Sequence, residues 1–301
     1  MTMVGTRVEA EMFAPVAAPT VLVGLIGAGI QLSRTPRMHE SEAEAQGFRL
    51  VYRKIDLEVL RAPPQELPRL VAMAQAAGFA GLNITYPCKQ SVIPLLDELS
   101  DEAKALGAVN TVVFRDGRRI GHNTDWWGFS ESFRRGLPDA PVERVVQLGA
   151  GGAGSAVAHA LLTLGVKRLT ILDTETGKAE VLAQALARRF GVERVAASGD
   201  AASAMAEASG LVNTTPVGMA KHPGLPLPAD LLGRALWVAD IVYFPLETAL
   251  LRAARLAGCR TLDGGGMAVF QAVEAFRLIT GRAPEPARMA ATFAAQGEAA
   301  V

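Results

Sequence analysis

The sequence predicts an α/β chain of two domains, and three observations lead there. Strand-like and helix-like segments alternate along most of the 301 residues. Gly149-Ala150-Gly151-Gly152-Ala153-Gly154 stands between an apolar strand pattern and a helix pattern, the context in which G-x-G-x-x-G binds a dinucleotide. The length suits two domains better than one. The expected layout is an N-terminal α/β domain, completed by the C-terminal helix, and a doubly wound Rossmann-type domain. Residues 1–126 plus 264–301 form the first and residues 127–263 the second.

The elements follow in order. Met1 to Thr20 reads as a loose lead-in. Val21 to Ile26 is a buried-strand pattern closed by Gly27 and Gly29. A helix is expected after Pro36 towards Gln46, then a strand from Val51 to Ile55. Leu67, Leu70, Val71 and Ala74 repeat at helical spacing. Gly81 to Thr85 reads as a short strand, with an apolar helix over Val92 to Leu99 behind it. Thr111 to Phe114 and Arg119 to Gly121 flank Asp116-Gly117, a hairpin signal and the one antiparallel pair expected.

A second alternating series opens at Val145 to Leu148, with a helix over Gly152 to Leu164. Leu169 to Leu172 is the next strand, and Lys178 to Arg189 the next helix. Ala202 to Ala208 reads as plain helix, and Val212 and Val238 to Val242 as later strands. Such alternation calls for a parallel sheet covered on both faces. The last helix is expected over Met267 to Ile279, returning to the first domain.

Composition narrows the function. Half the residues are hydrophobic, enough for sizeable cores. Lys plus Arg equals Asp plus Glu at 30 each, which argues against nucleic acid held on a broad basic surface. Two cysteines, Cys88 and Cys259, make no disulfide framework and fit a reduced, cytoplasmic setting. No apolar run reaches the roughly 18 to 20 residues that span a bilayer. The N-terminus carries Glu9 and Glu11 and does not read as a signal peptide. His39 and His122 lack partners at metal-ligand spacing, so no metal is expected. The expected partner is a small molecule, with no nucleic acid and no membrane, on a monomer or a homodimer.

In the glycine loop, Gly149 allows the tight turn, Gly151 lets a pyrophosphate approach the backbone, and Gly154 permits close packing of helix on strand. Free amides at the helix start face the phosphate charge. Asp173 ends the next strand, where a carboxylate accepts hydrogen bonds from ribose hydroxyls and repels a 2′-phosphate. Thr174, Glu175 and Thr176 supply no arginine, so NAD is favoured over NADP. The alternative for Asp173 is a plain turn cap.

Asn83-Ile84-Thr85-Tyr86-Pro87-Cys88-Lys89 places a lone lysine just past a strand, and Gly121-His122-Asn123-Thr124-Asp125 ends a second strand in a carboxylate. An ammonium in a dry cleft exchanges its proton nearer neutral pH than one in water, and a carboxylate beside it keeps it oriented. Taken alone, Lys89 reads more readily as a surface lysine and Asp125 as a helix cap, and only the family resemblance given below reverses that. Ser33 and Thr35, in Leu32-Ser33-Arg34-Thr35-Pro36, can bind a small anion or cap the next helix. Cys88 reads as a spectator thiol.

These segments together resemble the shikimate dehydrogenase family. The likeness runs from about Val21 onward, through Gly24-Leu25-Ile26-Gly27, the Ser33–Thr35 segment with His39, the Asn83–Lys89 segment, Gly107-Ala108-Val109-Asn110-Thr111 and Asn123-Thr124-Asp125. It continues in Asn213-Thr214-Thr215-Pro216-Val217-Gly218-Met219, Asp240-Ile241-Val242-Tyr243-Phe244-Pro245 and Gly266-Met267 with Gln271-Ala272. The resemblance implies a substrate domain and a Rossmann domain with a cleft between, and reversible oxidation of a ring hydroxyl of a cyclohexene or cyclohexane carboxylic acid. It implies that Ser33, Thr35 and Tyr243 hold the substrate carboxylate, that Thr85, Asn110 and Gln271 surround the ring hydroxyls, and that Lys89 and Asp125 form the catalytic pair. Gly149, Gly151, Gly152 and Ala153 would cradle the pyrophosphate. Asn213, Thr214 and Thr215 would run along the cofactor, and Met219 and Gly266 would approach the nicotinamide.

Leu32-Ser33-Arg34-Thr35-Pro36 with Asp173 looks like the bacterial NAD-dependent quinate/shikimate dehydrogenases. The rivals are a biosynthetic NADP enzyme of the aromatic amino acid route, an NAD-sensing module without turnover, and a relative acting on an altered ring acid. Two residues depart from the family pattern. Tyr86 is bulkier than expected between Thr85 and Pro87, and Trp126 follows Asp125 where a smaller residue is common; packing at the interdomain hinge is the favoured reading of Trp126.

Overall fold

The computed structural model describes residues 20–298. The lead-in expected over Met1–Thr20 falls outside them except for Thr20. Twelve strands are described: β1 (Val21–Gly27), β2 (Leu50–Asp56), β3 (Phe79–Ile84), β4 (Glu98–Leu99), β5 (Thr111–Arg115), β6 (Arg118–His122), β7 (Arg144–Leu148), β8 (Arg168–Leu172), β9 (Val195–Ala197), β10 (Gly210–Asn213), β11 (Trp237–Asp240) and β12 (Arg260–Leu262). The α-helices are α1 (Thr35–Ala45), α2 (Leu57–Leu60), α3 (Leu67–Ala76), α4 (Asp101–Leu106), α5 (Asp125–Gly136), α6 (Gly152–Thr163), α7 (Thr176–Phe190), α8 (Ala201–Met205), α9 (Ala249–Leu256), α10 (Gly265–Thr280) and α11 (Pro286–Glu298).

The strands form two six-stranded sheets. The second runs β12-β11-β10-β7-β8-β9 with every pairing parallel, the doubly wound dinucleotide order. Its strand order reverses between β7 and β10. Val157, Leu161, Leu169, Ile171 and Trp237 fill one face, and Val146, Leu211, Val238, Leu250 and Leu251 the other. Burial on both faces is why these strands read as continuous apolar runs rather than alternating ones.

The first sheet runs β2-β1-β3-β5-β6-β4. Its order reverses between β1 and β3, so the loops leaving those two strands diverge and leave a crevice at their carboxyl ends. One antiparallel pair was expected; β5 is antiparallel to both β3 and β6. The hairpin turn itself agrees with the sequence, with φ of 52° at Asp116 and 74° at Gly117.

Other elements differ from expectation. Val92 to Leu99 is not a helix but a 3₁₀ turn (Ile93–Leu95) followed by β4. Pro94 removes a donor, and the chain is extended by Leu96 (φ −106°, ψ 145°). The helix there is α4, capped by Ser100 Oγ, which accepts from the Ala103 amide at 3.2 Å. α1 starts at Thr35, with Pro36 in its first turn, where its missing N–H has no helical partner to lose. α8 is shorter than the expected Ala202–Ala208 helix and is capped by Asp200. Met267–Ile279 lies within α10, but α10 is not the last helix.

α11 follows, and Arg288 clamps it to α1. Its Nε donates to Glu42 Oε2 at 2.6 Å and its Nη2 to Oε1 at 3.0 Å. Burial alone would raise the Glu42 carboxyl; the bonds from Arg288, the Glu285 amide and Gln46 outweigh it and hold the group below its ordinary range. α10 returns to the first sheet as expected, with Phe276 and Ile279 in the core beside Val23, Tyr52 and Val113. α10 also packs along α5. A Cβ at Gly128 would lie 2.7 Å from the Gln271 amide, and one at Gly266 would lie 2.2 Å from Ser132 Oγ, so both helices need glycine to meet.

His39 lies wholly buried in this wall, edge-on to Tyr52 and Phe276. Its Nε2 donates to the Ala272 carbonyl at 3.1 Å and its Nδ1 has no partner. Burial pushes the ring down to about 4 against this hydrogen bond, which favours the charged form. The folded value lies below the unfolded one, so the contribution is complete above pH 6.5 and is lost as the pH falls towards 4. Between pH 7.5 and 5, His39 alone should remove about 2 kcal/mol of stability. Urea denaturation across that range should show the decline, and His39→Gln should make it shallower by its own share, leaving that of His159, which burial also holds down to about 4; an equal decline in the variant would refute the assignment.

Candidate functional site

The first wall of the site is built where β1 and β3 end. A Cβ at Gly27 would meet Thr85 Cγ2 at 2.3 Å, so glycine at the end of β1 lets the β3 exit lie against it. The Cys88 amide donates to the Thr85 carbonyl at 2.8 Å, closing a turn through the cis Tyr86–Pro87 bond. That turn delivers Lys89. The Val109 amide donates to the Lys89 carbonyl at 2.8 Å, so the lysine backbone is tied to the segment that enters β5.

Asp125 opens α5 after β6. Lys89 Nζ donates to Asp125 Oδ2 at 2.6 Å, and Asn110 Nδ2 donates to Asp125 Oδ1 at 2.8 Å. The carboxylate is 7 % exposed, so the pair is largely withdrawn from water. The helix-cap reading of Asp125 does not hold: Thr124 occupies the N-cap, and Asp125 is the first helical residue. Asn110 is itself held, its Oδ1 accepting from the Thr124 amide at 2.7 Å.

Ser33, in the loop leaving β1, and Thr35, the first residue of α1, are half-buried, and neither caps α1. Arg34 between them lies over the Phe293 ring of α11 at 4.8 Å and the Phe244 ring at 5.9 Å. Tyr243, after β11, has its ring centroid 6.3 Å from that of Phe293. Burial against this wall raises its phenol although part of the ring is exposed; Lys89 and Arg34 oppose the shift and Asp125 adds to it. Ser33, Thr35, Tyr243, Lys89 and Asp125 thus share one neighbourhood. Thr85 is half-buried beside Lys89. Gln271 is half-buried on α10 against Gly128, with its Nε2 donating to the Ala268 carbonyl at 3.0 Å.

The second wall is the reversal between β7 and β10. Gly149 has φ 100°, and a Cβ there would meet Thr214 Oγ1 at 2.7 Å. A Cβ at Gly154 would lie 2.5 Å from the Gly149 carbonyl, so helix α6 sits hard on the loop. Gly151 and Gly152 differ: they are exposed, with open space where a side chain would be. No side chain caps α6, and its first-turn amides, that of Ala153 among them, point towards this space. This geometry fits a pyrophosphate.

Gln147, buried beneath, donates from Nε2 to the carbonyls of Gly149 and Gly154, both at 2.9 Å. Asp173 Oδ2 accepts from the Ala150 amide at 2.8 Å and Oδ1 from the Glu175 amide at 2.9 Å. Asp173 therefore caps its turn and borders the glycine loop at once. Asn213 and Thr214 use their side chains inside the protein. Asn213 Nδ2 donates to Asp240 Oδ1 at 3.0 Å, and Thr214 Oγ1 donates to the Leu148 carbonyl at 2.7 Å. Thr215 Oγ1 donates to Asn213 Oδ1 at 2.7 Å. Met219 is exposed beyond them. Gly266 lies on α10, where Ser132 fills its side-chain space.

Sequence reasoning missed Asp240 and Gln147 as loop supports and gave no role to Asn83, Thr111 or Tyr52. A polar residue in or at the end of an apolar strand was the available signal for Asp240, Gln147, Asn83 and Thr111; Tyr52, in the mixed strand β2, gave none. Trp126 meets His159 of α6 edge-on, with centroids 5.6 Å apart, and packs on the core of the second sheet. Tyr86 stands 76 % exposed at the crevice.

Comparison with known proteins agrees with this architecture. Residues 25–112 match the model of the shikimate dehydrogenase substrate binding domain. A shikimate dehydrogenase (NADP(+)) of Streptomyces avermitilis is 60 % identical over 275 residues, covering 91 % of this chain and 94 % of its own. A quinate/shikimate dehydrogenase (NAD(+)) of Corynebacterium efficiens is 52 % identical over 277 residues, covering 91 % and 98 %. The quinate dehydrogenase of Corynebacterium glutamicum in complex with NAD superposes with a TM-score of 0.88 at 50 % identity, over 92 % of this chain and 99 % of that one. The chain belongs to the shikimate dehydrogenase family.

Proposed function

We propose that this protein is an NAD-dependent quinate/shikimate dehydrogenase, oxidising one ring hydroxyl of shikimate to 3-dehydroshikimate or of quinate to 3-dehydroquinate. The observation that carries this is the 2.6 Å Lys89–Asp125 contact at the carboxyl ends of the first sheet. The names of the relatives support the substrate class. The substrate domain is assigned to residues 1–126 with 264–301 and the dinucleotide domain to 127–263. The division then falls in the first turn of α5 and at the start of α10, two helices packed on each other.

Ser33 and Thr35 hold the substrate carboxylate, with the Tyr243 hydroxyl as a third donor. Thr85 and Gln271 orient the ring hydroxyls; Asn110, expected beside them, has both amide hydrogens and its oxygen engaged within the protein and instead orients the Asp125 carboxylate. Lys89 Nζ takes the proton of the reacting hydroxyl as the carbinol C–H bond breaks, and Asp125 holds that nitrogen against the reacting oxygen. NAD, when bound, supplies the hydride acceptor. Gly151, Gly152 and Ala153 bind its pyrophosphate through backbone amides, and Gly149, whose own amide donates to the Leu172 carbonyl at 2.7 Å, makes the turn that shapes the cradle. The Asn213–Thr215 turn, Met219 and Gly266 border its nicotinamide half.

The relatives divide between NAD and NADP in their names, so the preference for NAD rests on Asp173. Each of its oxygens accepts one backbone amide and keeps a lone pair for a ribose hydroxyl, and its charge opposes a 2′-phosphate. The NADP reading is favoured by the name of the Streptomyces relative, which at 60 % identity is the most similar of the three. Initial rates with each cofactor decide between them, and a preference for NADP would overturn the assignment. Asp173→Asn should shift the NADP-to-NAD ratio of kcat/KM by about tenfold or more towards NADP, since removing one charge opposite a phosphate is worth about 1.4 kcal/mol or more.

Lys89→Ala should lower kcat by about a hundredfold or more, while NADH affinity, read by fluorescence quenching, stays within about twofold. Turnover at the wild-type rate in that variant would remove Lys89 from the reaction.

A further inference from the structure

Behind Asp125 lies a chain of buried donors, all oriented the same way. Tyr52 Oη donates to Asn83 Oδ1 at 2.7 Å. Asn83 Nδ2 donates to Thr111 Oγ1 at 3.0 Å. Thr111 Oγ1 donates to Asn110 Oδ1 at 3.1 Å, and Asn110 Nδ2 reaches Asp125 at 2.8 Å. None of the five residues is more than 7 % exposed. The chain starts on β2, passes over β1 to β3, crosses to β5, where Asn83 faces Thr111 in register, and ends at α5.

Resting on the function proposed above, we infer that Tyr52, Asn83 and Thr111 are positioning residues for the reaction. They act through Asn110 to hold the Asp125 carboxylate in the one orientation that keeps Lys89 Nζ on the reacting oxygen. The reason lies in the inventory of bonds on Asn110. Its Oδ1 takes the Thr124 amide and the Thr111 hydroxyl, and its Nδ2 reaches Asp125 Oδ1 and Thr124 Oγ1. An amide held on both ends cannot flip, so its N–H stays aimed at the carboxylate.

Asn83 is fixed in the same way, by Tyr52 on its oxygen and Thr111 on its nitrogen. Each donor polarises the next, and the whole row of dipoles points at the anion. Dipoles set in place before the reaction need not reorganise during it. Tyr52 anchors the far end; burial keeps its phenol protonated, raised well above its ordinary range, so it remains a donor.

The test is the split between kcat and binding, with rescue by a conservative change. Thr111→Val keeps the shape of the side chain and deletes both its donor and its acceptor. It should lower kcat with shikimate or quinate by about tenfold, with NADH affinity within about twofold of wild type. Thr111→Ser should return kcat to within about threefold of wild type, and Tyr52→Phe, at the far end, should lower it by about threefold. A Thr111→Val enzyme at the wild-type rate, a Thr111→Ser enzyme no better than the valine form, or a loss of NADH binding in step with kcat would each overturn the inference. If Thr111→Val does not fold, Tyr52→Phe decides, and full kcat in that variant overturns it. Wild-type protein inert towards both acids with either cofactor would sink the proposed function itself, and the positioning role with it. Active wild type with an indifferent Thr111→Val sinks only the latter.

Discussion

The contact between Lys89 Nζ and Asp125 Oδ2 constrains everything around it. Two opposite charges withdrawn from water attract strongly, but removing them from water costs several kcal/mol each unless their other valences are met. Here the second carboxylate oxygen is met by Asn110, and the lysine backbone is tied to Val109. The pair can form only if β3 and β6 end, and β5 begins, at one level. The antiparallel insertion of β5 between β3 and β6 achieves that, since it returns the chain so that β3 and β6 both finish at the crevice. The topology of the first sheet is thus the condition for the ion pair.

How far the molecule was legible from its residues follows from the range of the interactions involved. The glycine loop and Asp173 stood out because local rules govern them: a turn that needs glycine and a strand that ends in a charge. Lys89 and Asp125 stood out only through the family resemblance, because alone they read as a surface lysine and a helix cap. The parallel character of the second sheet followed from βαβ alternation alone. Asn83, Thr111 and Tyr52 did not stand out, because their significance depends on sheet register. Asn83 and Thr111 are 28 positions apart and neighbours only through the β3–β5 pairing. The wrong helix at Val92–Leu99 came from reading hydrophobicity without giving enough weight to Pro94, and α11 was missed because its anchor, the Glu42–Arg288 pair, spans 246 positions.

Asp173 shows why two readings of one residue need not compete. As a turn cap it holds the Glu175 amide; as a neighbour of the glycine loop it holds the Ala150 amide. Both bonds use the same carboxylate, which has about four acceptor sites. Capping fixes the rotamer, and a fixed rotamer is what a ribose-reading carboxylate needs. Glu175 contributes again, through the adjacent cation. Its carboxylate bonds Lys178 at 2.5 Å, so the positive charge nearest this turn is already engaged.

The two sheets meet through helices rather than through strands, and this bears on motion. α5 and α10 approach closely enough that Gly128 and Gly266 leave no room for a methyl group. Close-packed helices slide or pivot as units rather than deform, because interiors at this density transmit displacement. Asp125 stands at the first residue of α5, so any pivot of α5 moves the carboxylate unless something outside the helix holds it. The Asn110 amide belongs to the first sheet and does hold it, from the side opposite Lys89. A carboxylate placed at the end of a helix is best fixed by a partner outside that helix, and the buried row from Tyr52 to Asn110 lies where such a partner has to be.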